Sequence, residues 1–384
     1  MKVMFYVQHL LGIGHLVRAS RIARALKTAG HEVVVVSGGM PVEGFPGSDI
    51  ALWQLPCLRS VDVDFSGLAT TDGSPATDAF LDQRRAALIA AQETIRPDCV
   101  VIEAYPFARR QMRFELLPLL KQIAAMTDEA RPMVVSSIRD ILQPKSIERD
   151  IDTAALVRQY FDLVMVHGDP ALARLDETFS QADEIADLVV YTGLVAPDAD
   201  DPGSSETYDV IVSAGGGAVG RAVLTTALEM CRSGVFSELR WLFVTGENLS
   251  SDAYAHLEKD MPAHARIARF IPDLAGRLGL AKLSISQAGY NTVADILRAG
   301  CASVLVPFAN GSEQEQTIRS SRLQKAGRCV MLAQSDLSRE TLEAAARNAF
   351  AQPQTKTAAS FSLDGAQKSA AILADRFSAF RRDR

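Results

Sequence analysis

Short apolar runs alternate with amphipathic segments along the whole chain, and this alternation limits the fold more than any other sequence feature. The apolar runs are typical of buried strands, and the segments between them carry apolar residues at helical spacing. Strands joined through helices run parallel, and helices then cover both faces of the sheet. The sequence therefore predicts an α/β protein with parallel sheets. The predicted strands are Val3–Val7, Glu32–Ser37, Ile50–Leu55, Cys99–Glu103, Met133–Ile138, Leu163–His167, Leu188–Thr192, Val210–Ser213, Trp241–Val244, Ile267–Phe270, Lys282–Ile285, Ala302–Val306 and Cys329–Leu332. The predicted helices are Leu16–Ala29, Thr77–Ile95, Met112–Met126, Ala154–Tyr160, Val219–Cys231, Asp252–Lys259, Thr292–Ala299, Arg339–Phe350 and Gln367–Phe380.

The chain is long enough for two domains, and one segment is typical of a linker. At 384 residues it exceeds the usual size of a single domain. Turn-forming and acidic residues are concentrated in Ala196–Ser205. We therefore predict a first domain at 1–196, a linker at 197–206, a second domain at 207–365 and a final helix at 366–384.

Composition narrows the functional class. The hydrophobic share of 48% and the charged share of 22% suit a globular protein with a large core. A net charge of −6 argues against a dedicated nucleic-acid binder. Five scattered cysteines predict reduced core thiols rather than a disulfide framework or a metal cluster. The first apolar run is too short for a signal peptide, and no stretch is long enough to cross a membrane. We expect a cytoplasmic protein.

A stretch in the second half places several ligand-binding groups at strand-to-helix junctions. The apolar run Lys282–Ile285 ends in a small-residue turn around Gly289, where a helix follows that stops at Gly300. The next strand is followed by acidic and amide side chains between Glu313 and Gln316. Free N–H groups at a helix N-terminus favour an anion, and carboxylate and amide groups suit sugar hydroxyls. The pattern predicts a nucleotide-sugar pocket.

This stretch resembles the C-terminal half of the MurG-like glycosyltransferases, which use UDP-sugars and have the GT-B fold of two facing Rossmann-like domains. The matching positions are Gly289, Thr292, Asp295, Gly300, Pro307, Glu315 and Gln316. The resemblance implies that the Gly289 turn and Thr292 hold phosphate and that Asp295 holds the ribose hydroxyls. It implies that Glu315 and Gln316 contact the donor sugar. It further implies a C-terminal helix that returns to the first domain, a UDP-sugar substrate without any cofactor, and no catalytic metal.

A glycine loop follows the first strand. Gly12 and Gly14 let the backbone approach a ligand, and the first helix begins directly after them. The pattern Gly12-x-Gly14-His15-x-x-Arg18 resembles the N-terminal loop of MurG-like transferases and of nucleotide-sugar hydrolases of the PseG type. That resemblance implies a position for His15 near the reacting sugar, where an imidazole can take a proton from a hydroxyl or from water. The alternative is a helix cap or a packed side chain.

A second glycine loop follows the strand Val210–Ser213. It contains Gly215, Gly216 and Gly217, and an acidic residue, Glu247, follows the next strand. This spacing also matches a dinucleotide fingerprint, so a nicotinamide-binding domain stays open as an alternative. MurG-like enzymes carry a similar loop beneath the donor diphosphate. Two such loops, one in each half, favour the transferase.

Two further carboxylates follow predicted strands in the first half. Glu103 and Asp140 should lie at the carboxyl edge of the sheet, where ligands bind in open α/β folds. Either is a candidate base or a partner that orients His15, and capping of the next helix is an equal alternative. Asp62-Val63-Asp64 lies in a loop, and we interpret it as surface carboxylates rather than a metal site.

The segment 107–121 combines basic and apolar residues. Such a segment can lie on an anionic membrane surface, which would suit a lipid-linked acceptor and a peripheral position at the inner face of the membrane. Most amphipathic helices instead face a core. Pro118 interrupts the helical pattern unless it lies in a first turn.

The sequence leads to one expected function and several rivals. We expect an inverting, metal-independent bacterial glycosyltransferase that moves a sugar from a UDP-sugar to a hydroxyl acceptor, with His15, Asp140 or Glu103 as base. The rivals are a nucleotide-sugar hydrolase of the PseG type, a UDP-sugar 2-epimerase and a non-catalytic subunit that binds sugar nucleotides.

Overall fold

The computed structural model describes residues 1–61, 67–198, 206–216, 220–271, 274–309, 313–352 and 361–382. The chain divides into two compact units. Unit 1 comprises Met1–Val195 and Asp364–Arg384, and unit 2 comprises Ala196–Leu363. The predicted surface carboxylates of Asp62-Val63-Asp64 lie outside the described residues.

Unit 1 is built on a parallel sheet that helices cover on both faces. Its strands are β1 Lys2–Val7, β2 Glu32–Ser37, β3 Ala51–Gln54, a short hairpin β4 Arg59–Ser60 and β5 Leu68–Ala69, β6 Cys99–Glu103, β7 Met133–Arg139, β8 Leu163–His167 and β9 Val189–Tyr191. Its helices are α1 Gly14–Thr28, α2 Asp78–Ile95, α3 Arg113–Ala124 and α4 Ile147–Tyr160. The main sheet has the order β3-β2-β1-β6-β7-β8-β9, with every neighbouring pair parallel.

Alternate side chains of the interior strand β1 enter two separate cores. Val3, Phe5 and Val7 pack with α1 on one face. Met4 and Tyr6 pack on the other face, where the buried residues of α2 and α3 lie. Successive strand residues point to opposite faces, so a continuous apolar run is what a strand buried on both sides requires. The predicted parallel sheet with helices on both faces is confirmed.

Unit 2 repeats this architecture. Its elements are β10 Val210–Ser213, α5 Arg221–Arg232, β11 Trp241–Val244, α6 Ser251–Lys259, β12 Ala265–Ala268, α7 Leu274–Leu280, β13 Leu283–Gln287, α8 Tyr290–Ala299, β14 Ala302–Val306, α9 Glu315–Lys325, β15 Val330–Met331 and α10 Arg339–Ala351. The sheet order is β12-β11-β10-β13-β14-β15, again all parallel. In both units the strand order reverses beside the first strand, which is where open α/β sheets bind ligands.

The last helix, α11 Gly365–Arg382, belongs to unit 1, as the predicted fold requires. Asp364 and Val195 form an isolated antiparallel β-bridge. The N–H of Gly365 donates to the carbonyl oxygen of Leu194 at 3.0 Å. A Cβ on Gly365 would lie 2.4 Å from the carbonyl oxygen of Gly193, so glycine is required for this close approach. Ala366, Ala370 and Leu373 share a buried core with α1.

Several element predictions differ from the structure. Helix α4 begins seven residues earlier than predicted, at Ile147 rather than Ala154, because its first turn is mostly charged and shows no apolar period. Strand β12 lies two residues before the predicted Ile267–Phe270. Helices α7 and α9 were not predicted. Of α9 only three of eleven residues are buried, so its apolar stripe is too sparse to show helical spacing.

Of the two interpretations of segment 107–121, the structure supports the one in which its apolar side faces the core. Phe107, Met112, Leu116, Leu119 and Leu120 are all buried in the core of unit 1. Side chains that pack in the core do not reach a lipid surface. Pro118 is the sixth residue of α3, beyond the first turn, and the helix continues through it.

Candidate functional site

His15 and Glu103 meet at the point in unit 1 where the strand order reverses. Glu103 is the last residue of β6, and His15 is the second residue of α1, which follows β1. Because β1 and β6 are adjacent in the sheet, their carboxyl ends lie side by side. Nδ1 of His15 lies 2.9 Å from Oε1 of Glu103. Arg18, three residues further along the same face of α1, forms an ion pair with the same carboxylate oxygen.

The charges of this cluster fix the protonation of its members. Burial alone would raise the pKa of Glu103, but Arg18 and the hydrogen bonds from His15 and Ser137 lower it to about 2. Burial and the charge of Arg109 lower the pKa of His15 to about 3, against the opposing effect of Glu103. At neutral pH the carboxylate is ionised and the imidazole is neutral. A neutral imidazole that donates from Nδ1 to this carboxylate carries its basic lone pair on Nε2.

His15 is the accessible member of the pair. Its side chain is 21% exposed, whereas the side chain of Glu103 has no exposed surface. An imidazole held by a buried carboxylate through one nitrogen can accept a proton at the other. The geometry therefore suits a general base with an orienting partner.

Asp140, the third predicted catalytic residue, lies one strand further along the sheet. It follows β7 and is completely buried. Its Oδ1 accepts the backbone N–H of Ile141 at 2.9 Å. A Cβ on Gly168 would lie 2.2 Å from the Cβ of Asp140, so glycine is needed there to admit this side chain.

The glycine loop of unit 1 leaves open space beside its backbone. A Cβ on Gly12 would meet no atom within 4 Å, and Gly14 is the first residue of α1. Arg109, which the sequence analysis did not select, donates from Nε to the carbonyl oxygen of Gln8 at 3.0 Å. Burial and the charge of Arg139 lower the pKa of Arg109 to about 10. Its left-handed backbone, with φ of 59°, marks the position as unusual, and a sequence does not show such a conformation.

The free energy of unfolding should fall as the pH drops from 7 to 5. Burial and the charge of Arg18 lower the pKa of His167 to about 3, and that of His15 is also about 3. Both values lie below the unfolded value near 6.5, so the unfolded chain binds more protons and stability rises with pH. Each histidine contributes up to about 1.4 kcal/mol per pH unit, less for the partly exposed His15.

Urea titrations at pH 7, 6 and 5 measure this slope. His167→Gln should lower the slope by up to about 1.4 kcal/mol per pH unit, and the same substitution at the exposed His256 serves as the matched control. Protonation of Glu103 lowers the stability only below this pH range. Its effect begins near pH 4.5 and extends down to about pH 2. An unaltered slope in His167→Gln would mean that folding does not lower the pKa of His167.

In unit 2 the two small-residue loops converge on Thr292. Gly215 follows β10 and has a φ of +63°, a conformation that favours glycine. Gly289 follows β13 and is the N-cap of α8. A Cβ on Gly215 would lie 3.9 Å from Oγ1 of Thr292, and a Cβ on Gly289 would lie 4.0 Å from the same atom. Gly220 lies directly before α5, and a Cβ there would meet the Cβ of Ala214 at 2.4 Å.

The helix that begins at Gly289 presents further polar groups. Gly289 makes no side-chain hydrogen bond to the N-terminus of α8, and the N–H groups at a helix N-terminus favour an anion. Asp295 lies one turn beyond Thr292, and both are 7% exposed. Gly216, in the other loop, is held through its carbonyl oxygen by Nδ2 of Asn248 at 2.9 Å. Gly217, also a predicted binding residue, lies outside the described residues.

The predicted sugar-binding pair has internal partners. Glu315 forms an ion pair with the fully buried Arg319, whose guanidinium lies 5.2 Å from the ring centre of Tyr290. Oε1 of Gln316 accepts the N–H of Phe308 at 2.9 Å and so fixes the turn after β14. These partners were not predictable from the sequence, because they lie on a turn and on a helix whose apolar residues are too sparse to show helical spacing.

The described part of the chain holds neither a membrane-spanning helix nor a cluster of metal-ligating side chains. No helix there is both long and apolar enough to cross a bilayer. No group of three or more His, Cys, Asp or Glu side chains is gathered there as for a metal ion.

Residues 212–376 match the family described as "Glycosyltransferase family 28 C-terminal domain". Two similar curated proteins share one name, UDP-N-acetylglucosamine–N-acetylmuramyl-(pentapeptide) pyrophosphoryl-undecaprenol N-acetylglucosamine transferase. That of Xylella fastidiosa (strain M12) is 32% identical over 185 residues, or 46% of this chain and 48% of that protein. That of Rhizobium johnstonii is 29% identical over 209 residues, or 52% and 54%. The chain spans about half the length of the curated relatives it matches.

Solved structures extend the likeness over the whole chain at the level of fold. The MurG of Acinetobacter baumannii has a TM-score of 0.57 at 17% identity, covering 98% of this chain and 100% of that one. The glycosyltransferase VinC, solved with DTDP, has a TM-score of 0.61 at 15% identity and covers 100% of both. The calicheamicin glycosyltransferase CalG4 has a TM-score of 0.60 at 14% identity and covers 98% of both. These likenesses confirm the predicted GT-B fold. Residues 212–376 therefore form a glycosyltransferase family 28 C-terminal domain, and the chain as a whole is similar to the MurG-like glycosyltransferases.

Proposed function

We propose that the protein transfers a sugar from a nucleotide-sugar, with UDP as the nucleotide, to a hydroxyl group of an acceptor. The observation that carries this proposal is the convergence of the Gly215 and Gly289 loops on Thr292, at the N-terminus of α8 and beside the point where the strand order of unit 2 reverses. Backbone N–H groups at such a position suit a diphosphate. The names of the curated relatives, which include UDP-N-acetylglucosamine, support UDP as the nucleotide.

Different residues of unit 2 bind different parts of the donor. The N–H groups of the two loops and Oγ1 of Thr292 hold the diphosphate, and the carboxylate of Asp295 accepts hydrogen bonds from the ribose hydroxyls. Glu315 and Gln316 contact the donor sugar, and their internal partners keep them in place. As the carbon–oxygen bond to the diphosphate breaks, the loop N–H groups stabilise the electron pair that leaves with it.

The residues of unit 1 act on the acceptor. Nε2 of His15 takes the proton of the acceptor hydroxyl while the hydroxyl oxygen forms the new bond to the anomeric carbon. Glu103, 2.9 Å from Nδ1, stabilises the imidazolium that this step produces. A single direct displacement inverts the anomeric configuration and needs no metal.

The relatives' names also describe an acceptor attached to undecaprenol through a pyrophosphoryl group. By that likeness we propose a lipid-linked acceptor as the first class to test, handled by a protein that works at the cytoplasmic face of the membrane. The buried apolar residues of segment 107–121 take no part in this proposal.

The substitution Gly289→Ala, which adds one methyl group, tests the proposed donor site. Gly289→Ala places a Cβ 4.0 Å from the nearest protein atom, at a φ of −65° that alanine adopts without strain, so the fold should be unaffected. If phosphate lies against this backbone, the methyl group will meet it. We expect a UDP-sugar at one hundred times its Kd to stabilise the wild type by about 2.7 kcal/mol and to bind Gly289→Ala roughly tenfold or more weakly.

The matched control is Gly279→Ala, the same substitution at an exposed glycine of the same unit with no atom within 4 Å. Its thermal shift with each nucleotide-sugar should equal that of the wild type. Stabilisation by NAD, with no response to any nucleotide-sugar, would contradict the proposed function.

A further inference from the structure

A buried chain of side chains leads away from Glu103 on the side opposite His15. We propose that Ser137, His167 and Thr192 form a positioning relay that orients the carboxylate of Glu103 and thereby fixes which nitrogen of His15 is basic. The catalytic part of this inference rests on the proposed function of His15, whereas its structural part does not.

The relay is continuous in its distances. Oγ of Ser137 donates to Oε2 of Glu103 at 2.7 Å, and Nε2 of His167 lies 2.8 Å from the same Oγ. Nδ1 of His167 lies 2.8 Å from Oγ1 of Thr192. Ser137, His167 and Thr192 have no exposed surface.

The sheet sets these four residues in a row. Glu103 pairs with Ser137 between β6 and β7, and Ser137 pairs with Met165 two residues before His167 on β8. Thr192 directly follows β9, the next strand. The relay therefore crosses four adjacent strands near their carboxyl ends, where the strands' backbone hydrogen bonds hold it in register.

Counting protons gives the relay one direction. Ionised Glu103 can only accept, so Ser137 must use its single proton on Oε2 and accept from its other neighbour. That neighbour is His167, which is neutral and therefore carries its one proton on Nε2. Nδ1 of His167 is then an acceptor, which the hydroxyl of Thr192 satisfies.

The opposite arrangement is weaker. If His167 carried its proton on Nδ1, Thr192 would donate to the carbonyl oxygen of Gly193, 3.0 Å away. Ser137 would then donate to His167 and leave Oε2 of Glu103 without that hydrogen bond. A hydrogen bond to a buried carboxylate is stronger than one to a neutral acceptor, so the first arrangement prevails.

The consequence lies at His15. With Oε2 held by Ser137, the carboxylate presents Oε1 to Nδ1–H of His15 in a fixed orientation. Without Ser137 the carboxylate is held through Oε1 by Arg18 alone, so Oε2 is no longer fixed and the acceptor for the imidazole is less well oriented. Ser137 and His167 thus act through Glu103 and do not touch substrate.

Nitrogen NMR of the full protein with labelled histidine tests the relay without any assay of activity. Spectra of His15→Ala and His167→Gln assign the two signals. We expect folded His167 to be the neutral tautomer with its proton on Nε2 and His15 to be the tautomer with its proton on Nδ1. A proton on Nδ1 of His167, or a protonated His167 ring at pH 7, would overturn the relay even in a protein that transfers no sugar.

Kinetics test the catalytic consequence. Ser137→Ala should lower kcat on the order of tenfold to one hundredfold with little change in KM for the donor, because one hydrogen bond to a buried charge is lost. His167→Leu should have a similar effect, and His167→Gln, which keeps an N–H donor near the position of Nε2, should recover most of the rate. Equal rates in His167→Leu and His167→Gln, with both variants folded by circular dichroism, would contradict the positioning role.

Discussion

His15→Ala is expected to reduce turnover by about two to four orders of magnitude while leaving donor binding unchanged. General base catalysis contributes factors of this size, and His15 is the exposed member of the pair that it forms with Glu103. The proposed donor site lies in the other unit, so Kd for the UDP-sugar should stay within about twofold of the wild-type value, a change of about 0.4 kcal/mol. Steady-state rates and a calorimetric titration measure the two quantities separately.

A second histidine in unit 1 supplies the control. His31 lies after α1 and away from the point where the strand order reverses, so His31→Ala should keep both turnover and donor affinity. Full turnover in His15→Ala would remove His15 from the mechanism. Loss of donor binding along with turnover would instead show that the substitution acts through the fold or the donor.

Arg84→Met is expected to destabilise unit 1 by about 3–5 kcal/mol. Arg84 and Glu115 form an ion pair in which neither side chain has any exposed surface. Removing one partner leaves the other as an uncompensated buried charge, which is the most costly change available to such a pair. Urea unfolding, followed by circular dichroism, measures the effect.

Arg84 makes further hydrogen bonds that connect several segments of unit 1. Besides Glu115, it donates to Oε1 of Gln8 at 2.6 Å and to the carbonyl oxygens of Gly38 and Pro56. It thus ties α2 and α3 to the segments that leave β1 and β2. A Cβ on Gly38 would lie 2.0 Å from Nη2 of Arg84, so a glycine is needed after β2 to leave space for the Arg84 side chain.

Two further variants test whether the uncompensated buried charge of Glu115 causes the loss of stability in Arg84→Met. The double variant Arg84→Met with Glu115→Leu should be more stable than Arg84→Met alone, because it leaves no buried charge behind. Arg85→Met, which breaks an exposed pair with Asp82 on the same helix, should change stability by less than about 1 kcal/mol. If the double variant were less stable than Arg84→Met by the full cost of a second substitution, the buried charge would not be the cause.

The fold was predictable from the sequence because its strands are buried on both faces. Runs such as Val3–Val7 are apolar throughout, and the glycine loops mark where two of the strands meet helices. The pairing of His15 with Glu103 followed in part, since both residues follow strands at one sheet edge. Which of Glu103 and Asp140 faces His15 depends on strand order, and the sequence does not state that order.

The buried polar networks could not be predicted in the same way. Arg84 and Glu115 each lie on the apolar stripe of their helix, so each breaks the pattern locally, but the sequence does not say that the two stripes face each other. Ser137 and His167 are polar residues within buried strands, and their contact depends on register across the sheet. Such partners are set by tertiary packing, which local periodicity does not encode.

Quantifying both products of one reaction distinguishes sugar transfer from hydrolysis. UDP-sugars labelled in the sugar are incubated with the protein and with a lipid extract that contains polyprenyl-diphosphate-linked sugars, and the released UDP and the labelled sugar are quantified. The proposed function predicts that UDP release requires the extract and equals the label recovered in a lipid-linked product. Release of UDP with an equal amount of free sugar, independent of the extract, would contradict transfer and identify a hydrolase.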